Sequence, residues 1–181
     1  MAAVLEMSPF SVLRQLDQLG REHGATLPVQ EVPRDTWEGV GFRLGTRHFV
    51  AAMGEVIELL RFPELSPVPR TRSWVRGMAN VRGTLLPVMD LNGFLRGQRT
   101  SLTRTSRVLV IELDGGLTGL LVDEVFGMRH FPHADYRHPD VEVDETLVPF
   151  IQGLFDSAGE QWLVFSMRAL ALFPRFMKVT E

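Results

Sequence analysis

The feature that most constrains the fold of this 181-residue chain is a repeat within its own sequence. Glu55-Val56 is followed by Arg61-Phe62-Pro63, and Glu124-Val125 is followed at the same spacing by His130-Phe131-Pro132. The matched order and spacing predict that two copies of one unit lie in tandem. A repeat of only two copies favours a pair of subdomains, since a solenoid needs about three or more stacked units.

A second set of matching positions lies further along each copy. The set comprises Trp74 to Gly77, Gly83, Val88 and Asp90 in the first copy, and Phe150 to Gly153, Gly159, Val164 and Ser166 in the second. The offset between the copies is 69 positions at Glu55 and 76 positions at Gly77, so the second copy contains seven additional residues. This insertion falls between Pro132 and Phe150, where we expect a loop.

Short apolar runs separated by glycine-marked turns are typical of β-hairpins. Hairpins are predicted over residues 41–51, 74–89, 108–122 and 153–165. Helices are predicted after Asp90, over Met167 to Phe173, and along the helically spaced residues Met53, Val56, Ile57 and Leu60. Many short strands with only small helices predict a mostly-β architecture of barrels or sandwiches.

The segment before the repeat, residues 1–38, follows a different pattern. Ser8 is a suitable helix N-cap, and Pro9 suits the first turn. Apolar residues then recur about once per turn at Phe10, Leu13, Leu16 and Leu19. The segment therefore predicts an N-terminal extension that contains an amphipathic helix.

A polar connector over residues 96–105 separates the two copies. The predicted domain covers residues 39–174, and its two subdomains cover about 39–95 and 106–174. Residues 175–181 are predicted to form a tail.

Composition and charge limit the classes of function. The chain has no cysteine, which excludes disulfides, thiol nucleophiles and cysteine-ligated metal centres and favours the cytoplasm. Residues 61–107 hold nine arginines and two acids, whereas residues 112–160 hold eleven acids and two arginines. A nucleic-acid-binding domain is usually basic as a whole, and this chain has a net charge of −3. Opposite charge on the two copies instead favours head-to-tail contacts with further copies or with a like-folded partner.

One segment carries residues with the chemistry of metal ligands. His130, His133 and His138 lie within nine residues, and imidazole nitrogens bind zinc. A metal-dependent enzyme that uses these histidines is the alternative function from a different class. Pro132 and Pro139 interrupt the segment, so the histidines lack the helical context of zinc-enzyme motifs and are interpreted as polar residues of the insertion.

Carboxylates suited to acid–base catalysis occur at Asp123-Glu124 and at residues 140–145, where acids alternate with valines as in an exposed edge strand. The sequence has no phosphate-binding loop, nucleophile elbow or dinucleotide fingerprint. It therefore predicts a protein that is not an enzyme, with no catalytic residue, cofactor or bound metal.

The turn of the second predicted hairpin carries a longer motif. Residues 77–83 read Gly-x₂-Asn-x-Arg-Gly, and residues 87–91 read Pro-Val-Met-Asp-Leu. This pattern resembles the signature of CheW-like domains, and the resemblance extends over residues 39–174. Runs such as Asp123 to Met128 and Trp162 to Ser166 are most similar to the CheW-like proteins of twitching-motility systems.

The resemblance implies two tandem SH3-like five-stranded barrels and a non-catalytic adaptor. Such an adaptor couples the cytoplasmic tips of methyl-accepting chemoreceptors to the regulatory domain of a CheA-type histidine kinase, in membrane-attached arrays. The more specific similarity implies control of type IV pilus twitching motility. A coupling protein of flagellar chemotaxis is the alternative within the family.

The resemblance also assigns receptor binding, in the groove between subdomains, to Arg82, Val56, Glu58 and Gly77. Arginine offers five donors on a flat group, and valine offers an apolar contact to a helix laid in a groove. Val56 also fits an apolar stripe typical of core packing, and Gly77 fits a backbone requirement. Arg82 is the first choice because the second copy has Ala158 at that position. No motif assigns the residues that contact the kinase.

Overall fold

The computed structural model describes residues 10, 13, 14, 18, 35–113, 116–138 and 143–180. The chain divides into two compact units, residues 1–33 and residues 34–181. In the first unit the four described residues are helical, and the remainder of the predicted amphipathic helix lies outside the described residues. The second unit contains both copies of the repeat.

The described part of the second unit is built from short strands. In chain order these are β1 (Thr36–Leu44), β2 (Arg47–Ala52), β3 (Glu58–Arg61), β4 (Val75–Val81), β5 (Thr84–Asp90), β6 (Arg107–Leu113), β7 (Gly116–Val122), β8 (Glu124–Pro132), β9 (Tyr136–Arg137), β10 (Ile151–Ser157) and β11 (Glu160–Phe165). The helices are α1 (Leu91–Arg96), α2 (Met167–Ala171) and α3 (Pro174–Met177), with 3₁₀ turns at His133–Asp135 and Val148–Phe150. These elements confirm the predicted mostly-β fold and its four hairpins.

The strands form two sheets, and each sheet takes strands from both copies of the repeat. The first sheet has the order β3-β6-β7-β5-β4, and the second has the order β8-β1-β2-β11-β10-β9. Each copy contains a hairpin, a single strand, a second hairpin and a short helix, and the second copy adds β9. The leading hairpin of each copy, β1–β2 or β6–β7, lies between strands of the other copy. The two copies therefore exchange hairpins within one chain.

The predicted subdomain boundaries follow the sequence copies and stay a prediction, whereas the sheets combine strands of both copies. The ranges 39–95 and 106–174 match the sequence copies, but β1 and β2 belong to the sheet of the second copy. Parallel pairing of β2 with β11 and of β5 with β7 holds the exchanged hairpins in place. Parallel partners require a long connection, so the spacing of adjacent elements does not reveal which strands will pair.

Each sheet is closed by the chain segment that follows its edge strand. After β3, Ser66 and Met78 of β4 exchange two backbone hydrogen bonds of 2.8 Å. After β8, Tyr136 and Arg137 of β9 pair with Phe155 and Leu154 of β10. The chain thus connects both edges of each sheet, which confirms the prediction of two barrels.

Matching glycines permit this closure in both barrels. Both Gly77 and Gly153 follow a register shift at the start of their strands. A Cβ atom on Gly77 would lie 2.6 Å from the backbone oxygen of Ser66, and φ at Gly77 is +143°. A Cβ atom on Gly153 would collide with the ring of Tyr136. In each copy, therefore, the closing segment crosses the strand at a glycine, where a larger residue would meet that segment.

Apolar side chains pack in three clusters, one within each barrel and one between them. The cluster of the first barrel contains Ala79, Leu86, Val88, Val108, Val110 and Leu121. The cluster of the second contains Val50, Phe131, Phe155, Trp162 and Val164. A larger central cluster draws on both sheets and on all three helices, including Phe42, Leu109, Phe165, Phe94, Leu170 and Phe176. The extent of this central core explains why residues 34–181 form one compact unit.

The helical stripe predicted along Met53, Val56, Ile57 and Leu60 is wrong. Met53 and Val56 flank a tight turn, and the segment then continues as β3, paired with β6. Along β3 the side chains alternate between half-buried and exposed, which is the period of a strand. A short apolar run fits either period, and here pairing with β6 selects the strand. The predicted helix over Met167 to Phe173 is also shorter than expected. It ends as α2 at Ala171, and Pro174 begins α3.

Matched caps begin the helix that ends each copy. The carboxylate of Asp90 accepts a hydrogen bond from Gly93 N–H at 3.0 Å, and the hydroxyl of Ser166 accepts one from Ala169 N–H at 3.1 Å. The predicted cap at Asp90 is confirmed. Asp90 is fully buried and also binds Arg76 at 3.2 Å and the hydroxyl of Thr100 at 2.6 Å. This network fastens the connector between the copies onto the first barrel.

Candidate functional site

The turn between β4 and β5 presents Arg82 at the rim of the first barrel. Arg82 has φ of +53° and Gly83 has φ of +85°, so both residues of the turn lie in the left-handed region. Two such residues in succession match the twist of a tight hairpin. The side-chain oxygen of Asn80 accepts a hydrogen bond of 2.9 Å from Gly83 N–H and supports the turn. Asn80 thus acts on the backbone, and the Arg82 side chain extends outward.

Arg82 and Glu58, two of the four predicted receptor-binding residues, lie in direct contact. Arg82 Nη2 lies 2.8 Å from Glu58 Oε1, and the Arg82 side chain is 79% exposed. Glu58 is the first residue of β3, one edge strand of the first sheet, and Arg82 follows β4, the opposite edge strand. The ion pair therefore spans the seam where the first barrel closes.

The matching turn of the second barrel has the same backbone without the charge. Ala158 has φ of +51° and Gly159 has φ of +81°, which are nearly the values of the first turn. Nearby, the guanidinium of Arg129 lies over the rings of Trp162 at 5.1 Å and Phe126 at 5.7 Å. The backbone of the turn is thus a requirement of the fold, whereas the arginine is specific to the first copy.

The other two predicted receptor-binding residues are less accessible. Val56 is half-buried and packs against the central apolar cluster. Gly77 is buried within β4, against the backbone of Ser66. Both placements agree with the structural roles that the sequence also allowed for these two residues.

A groove runs between the turn before β3, which belongs to the first copy, and β6 and α2, which belong to the second. Its lining includes Ile57, Ile111, Met167 and Ala171. On one side of the groove, the Glu55 carboxylate accepts a hydrogen bond of 3.0 Å from the backbone N–H of Met167, at the start of α2. This hydrogen bond joins Glu55 of the first copy to α2 of the second and so stabilises the groove between them.

Sequence reasoning missed the apolar residues that face solvent at this groove and on the adjacent edge strand. Ile57 is 53% exposed and Leu59 is 43% exposed. Reading residues 57–61 with a period of two would have placed both on one face of a strand, whereas the helical interpretation merged Ile57 with the core. Large apolar side chains exposed in a cluster are typical of interaction surfaces.

The three histidines of the alternative hypothesis have different neighbours. His130 lies 3.4 Å from Glu38 and His133 lies 3.9 Å from Asp35, whereas His138 packs edge-on against the ring of Tyr136. Among the residues that the structure describes, no three His, Cys, Asp or Glu side chains converge as metal ligands would.

The inserted stretch of the second copy is more than a loop. It contributes β9 to the second sheet, and Leu147 is buried in the central cluster. Asp144 accepts hydrogen bonds from the backbone and hydroxyl of Thr146, which hold the pKa of its carboxyl below the usual value. A general acid at neutral pH needs the opposite shift. Residues 140–142, which are half of the predicted edge strand, lie outside the described residues, and residues 143–145 are not part of a strand.

The match to a family model fits this arrangement of two barrels and a rim. Residues 38–172 match the model described as CheW-like domain, and the chain belongs to this family. Within the described part of the chain, no helix is long and apolar enough to cross a membrane.

Two relatives and one solved structure are similar to this chain over about two thirds of its length or more. The chain is 46% identical over 172 residues to protein PilI of Pseudomonas aeruginosa, which covers 95% of this chain and 96% of PilI. It is 32% identical to protein FrzA of Myxococcus xanthus, over 66% of this chain and 74% of FrzA. The crystal structure of the scaffolding protein TtCheW from Thermoanaerobacter tengcongensis superposes with a TM-score of 0.63 at 22% identity. That superposition covers 71% of this chain and 88% of TtCheW, and supports the fold.

Proposed function

We propose that this protein is a non-catalytic cytoplasmic adaptor that couples methyl-accepting chemoreceptors to a CheA-type histidine kinase in arrays controlling type IV pilus twitching motility. The observation that carries the proposal is the similarity to PilI over almost the whole length of both chains. The match to the chemotaxis protein CheW of Rhizobium meliloti is weaker, at 28% identity over 59% of this chain. This difference favours the pilus pathway over flagellar chemotaxis.

The receptor surface that we propose is centred on the rim of the first barrel. Arg82 is largely exposed and its partner Glu58 fixes its direction. A flat guanidinium with five donors suits the polar side chains and carbonyl groups of a helical receptor tip. The exposed side chains of Ile57 and Leu59, which flank Glu58 in the sequence, supply the apolar contacts that a helix in a groove requires.

Val56 and Gly77 support this surface from beneath. Val56 packs into the central cluster immediately before Ile57, so it sets the position of β3. Gly77 allows the segment after β3 to cross β4 at Ser66, which brings Glu58 and Arg82 to the same seam. We infer that substitutions at these two positions weaken receptor coupling through the position of β3 and not through a lost contact.

Binding measurements with purified components test the proposal. The full-length protein is titrated with a receptor cytoplasmic fragment and, separately, with the regulatory domain of a CheA-type kinase. Arg82→Ala is expected to weaken receptor binding about tenfold or more, which corresponds to loss of one charged hydrogen bond of about 1.5–3 kcal/mol, while kinase affinity is retained. Arg104→Ala, which removes an exposed arginine of the connector, is the matched control and is expected to change neither affinity.

A charge exchange separates the ion pair from recognition. In the double variant Arg82→Glu with Glu58→Arg, the pair is rebuilt in the opposite order, so the barrel is expected to remain closed. Receptor binding should still be lost, because the arginine then lies at position 58 on β3 and no longer at the turn after β4. Receptor affinity equal to that of the wild type in this variant or in Arg82→Ala would remove Arg82 from the site.

Charge also supports head-to-tail contacts with like-folded partners, including further copies of the chain in rings. The arginine-rich stretch 61–107 and the acidic stretch 112–160 carry opposite charge. Contacts between such surfaces weaken as salt screens them, with a Debye length near 10 Å at about 0.1 M. Association measured by sedimentation should fall from low to high salt, and an unchanged association would contradict this contact.

A further inference from the structure

A cleft on the first barrel has the chemistry of an anion site. It lies where the start of β4 meets α3, encloses about 430 Å³, and is lined by Arg72, Trp74, Pro174, Arg175 and Lys178. Its lining holds three cations and no acid. Lys178 is the only lysine of the chain.

The three cations of the cleft have no carboxylate partner among the described residues. None of them forms a salt bridge with an acid in the described part of the chain, although Arg43, Arg76, Arg82 and Arg137 all do. Like charges around one cleft repel one another unless an anion lies between them. The arrangement therefore favours a negatively charged ligand.

A second and independent observation comes from the indole of Trp74. Trp74 is only 7% exposed, and its Nε1–H has no acceptor among the described residues. An indole nitrogen can only donate, and a buried donor without a partner is rare in native proteins. The residue that lines this cationic cleft thus carries a donor that an oxygen atom of a ligand would satisfy.

Arg175 lies beside the indole ring of Trp74. Its guanidinium lies 5.7 Å from the Trp74 ring centroid and 5.5 Å from that of Phe94, while the residue itself is exposed. An exposed contact between a cation and a ring is weaker than a charge-assisted hydrogen bond to an oxoanion. An anion in the cleft therefore offers Arg175 a stronger partner than the two rings.

The cleft is distinct from the receptor surface. Trp74 precedes β4 and Arg82 follows it, and a strand of seven residues at about 3.3 Å per residue separates them by about 20 Å. Loss of receptor binding and loss of anion binding are consequently separate measurements.

We propose that this cleft binds an oxoanion, the phosphate or carboxylate group of a small multiply charged ligand. Arg72, Arg175 and Lys178 supply the positive charge, and Trp74 Nε1–H donates a hydrogen bond to one ligand oxygen. The apolar faces of Trp74 and Pro174 line the part of the cleft that receives the body of the ligand.

Nuclear magnetic resonance of the full-length ¹⁵N-labelled protein tests this proposal. The chain has three tryptophans, so its indole N–H spectrum is simple, and Trp74→Phe assigns the signal of Trp74. Inorganic pyrophosphate and citrate are titrated separately at constant ionic strength, which distinguishes a phosphate from a carboxylate ligand. A saturable shift of the Trp74 signal with either probe is the expected result.

Surface variants keep the test valid if Trp74→Phe fails to fold. Arg72 and Lys178 are exposed, so the double variant Arg72→Gln with Lys178→Gln should fold and bind the probe about tenfold or more weakly. Arg99→Gln, an exposed arginine outside the cleft, is the control and should bind as the wild type does. Absence of a saturable shift of any indole signal up to about 10 mM of both probes, or equal affinity in the double variant and the wild type, would overturn the proposal.

Discussion

The rims of the two barrels have the same backbone and different chemistry. In the first barrel the turn residue Arg82 reaches across the seam to Glu58 at 2.8 Å. In the second barrel Ala158 occupies the same backbone conformation, and the neighbouring surface is formed by Arg129 lying over Trp162. Left-handed φ at a non-glycine residue is uncommon and is often linked to function. Here both turns have it, so the strained backbone belongs to the hairpin, and only the arginine side chain distinguishes one copy.

The N-caps of the helices that end the two copies also share a backbone interaction and differ in their other contacts. Asp90 and Ser166 both cap the helix that ends their copy. Asp90 in addition binds Arg76 and Thr100 in a buried network. Duplicated sites thus share the interaction that the fold needs, and one copy has acquired a further interaction.

The largest effect on the free energy of unfolding is expected at the Asp90 cap. Asp90→Ala leaves the buried guanidinium of Arg76 without a counter-charge, and breaking a buried ion pair in this way costs about 3–5 kcal/mol. Ser166→Ala removes one capping hydrogen bond and should cost about 1 kcal/mol. Denaturant unfolding measures both free energies. Equal losses would mean that the Asp90 network contributes nothing beyond its cap.

Asp90→Asn is the matched control for that comparison. The asparagine retains a capping oxygen for Gly93 and removes the charge that faces Arg76. The free energy of unfolding should fall between those of the wild type and Asp90→Ala.

A smaller difference in the free energy of unfolding is expected between alanine variants of Gly77 and Gly153, the glycines that allow barrel closure. Gly77→Ala places a methyl group against the backbone of Ser66 at positive φ, so neither side can yield, and we expect a loss of about 2–3 kcal/mol. Gly153→Ala meets the ring of Tyr136, whose hydroxyl donates a hydrogen bond of 2.7 Å to the Gln152 carbonyl. A side chain can shift further than the Ser66 backbone can, so this variant should cost less, about 1 kcal/mol. Thermal and denaturant unfolding compare the two. A greater loss at Gly153 would show that the ring is the more rigid neighbour.

The smallest effect isolates the ion pair at the rim. Ala158→Gly relieves a left-handed residue and should change the free energy of unfolding by less than about 1 kcal/mol, in the stabilising direction. Arg82→Gly relieves the same strain but loses the contact with Glu58, so it should stabilise less. The difference between the two variants measures the ion pair, which for exposed groups is about 0–1 kcal/mol. A difference well above that range would assign Arg82 to stability more than to binding.

Local features of the fold could be predicted because they depend on neighbouring residues. The Arg82-Gly83 and Ala158-Gly159 turns, and the cap at Asp90, follow from backbone preferences within a few positions. The segment from Met53 to Leu60 was wrongly predicted as helical, because its apolar spacing fits two periods and only pairing with β6 decides between them.

By itself, the sequence determined that the chain contains two copies of one unit, where its hairpins turn, and which copy carries the arginine. The tertiary structure alone decided that the copies exchange their leading hairpins, that Glu58 meets Arg82, and that Arg76 binds Asp90. The physical reason is how far apart in the sequence the interacting residues lie. Turns and caps are set by local backbone geometry, whereas strand partners and buried ion pairs are selected by burial of the whole core, among residues distant in sequence.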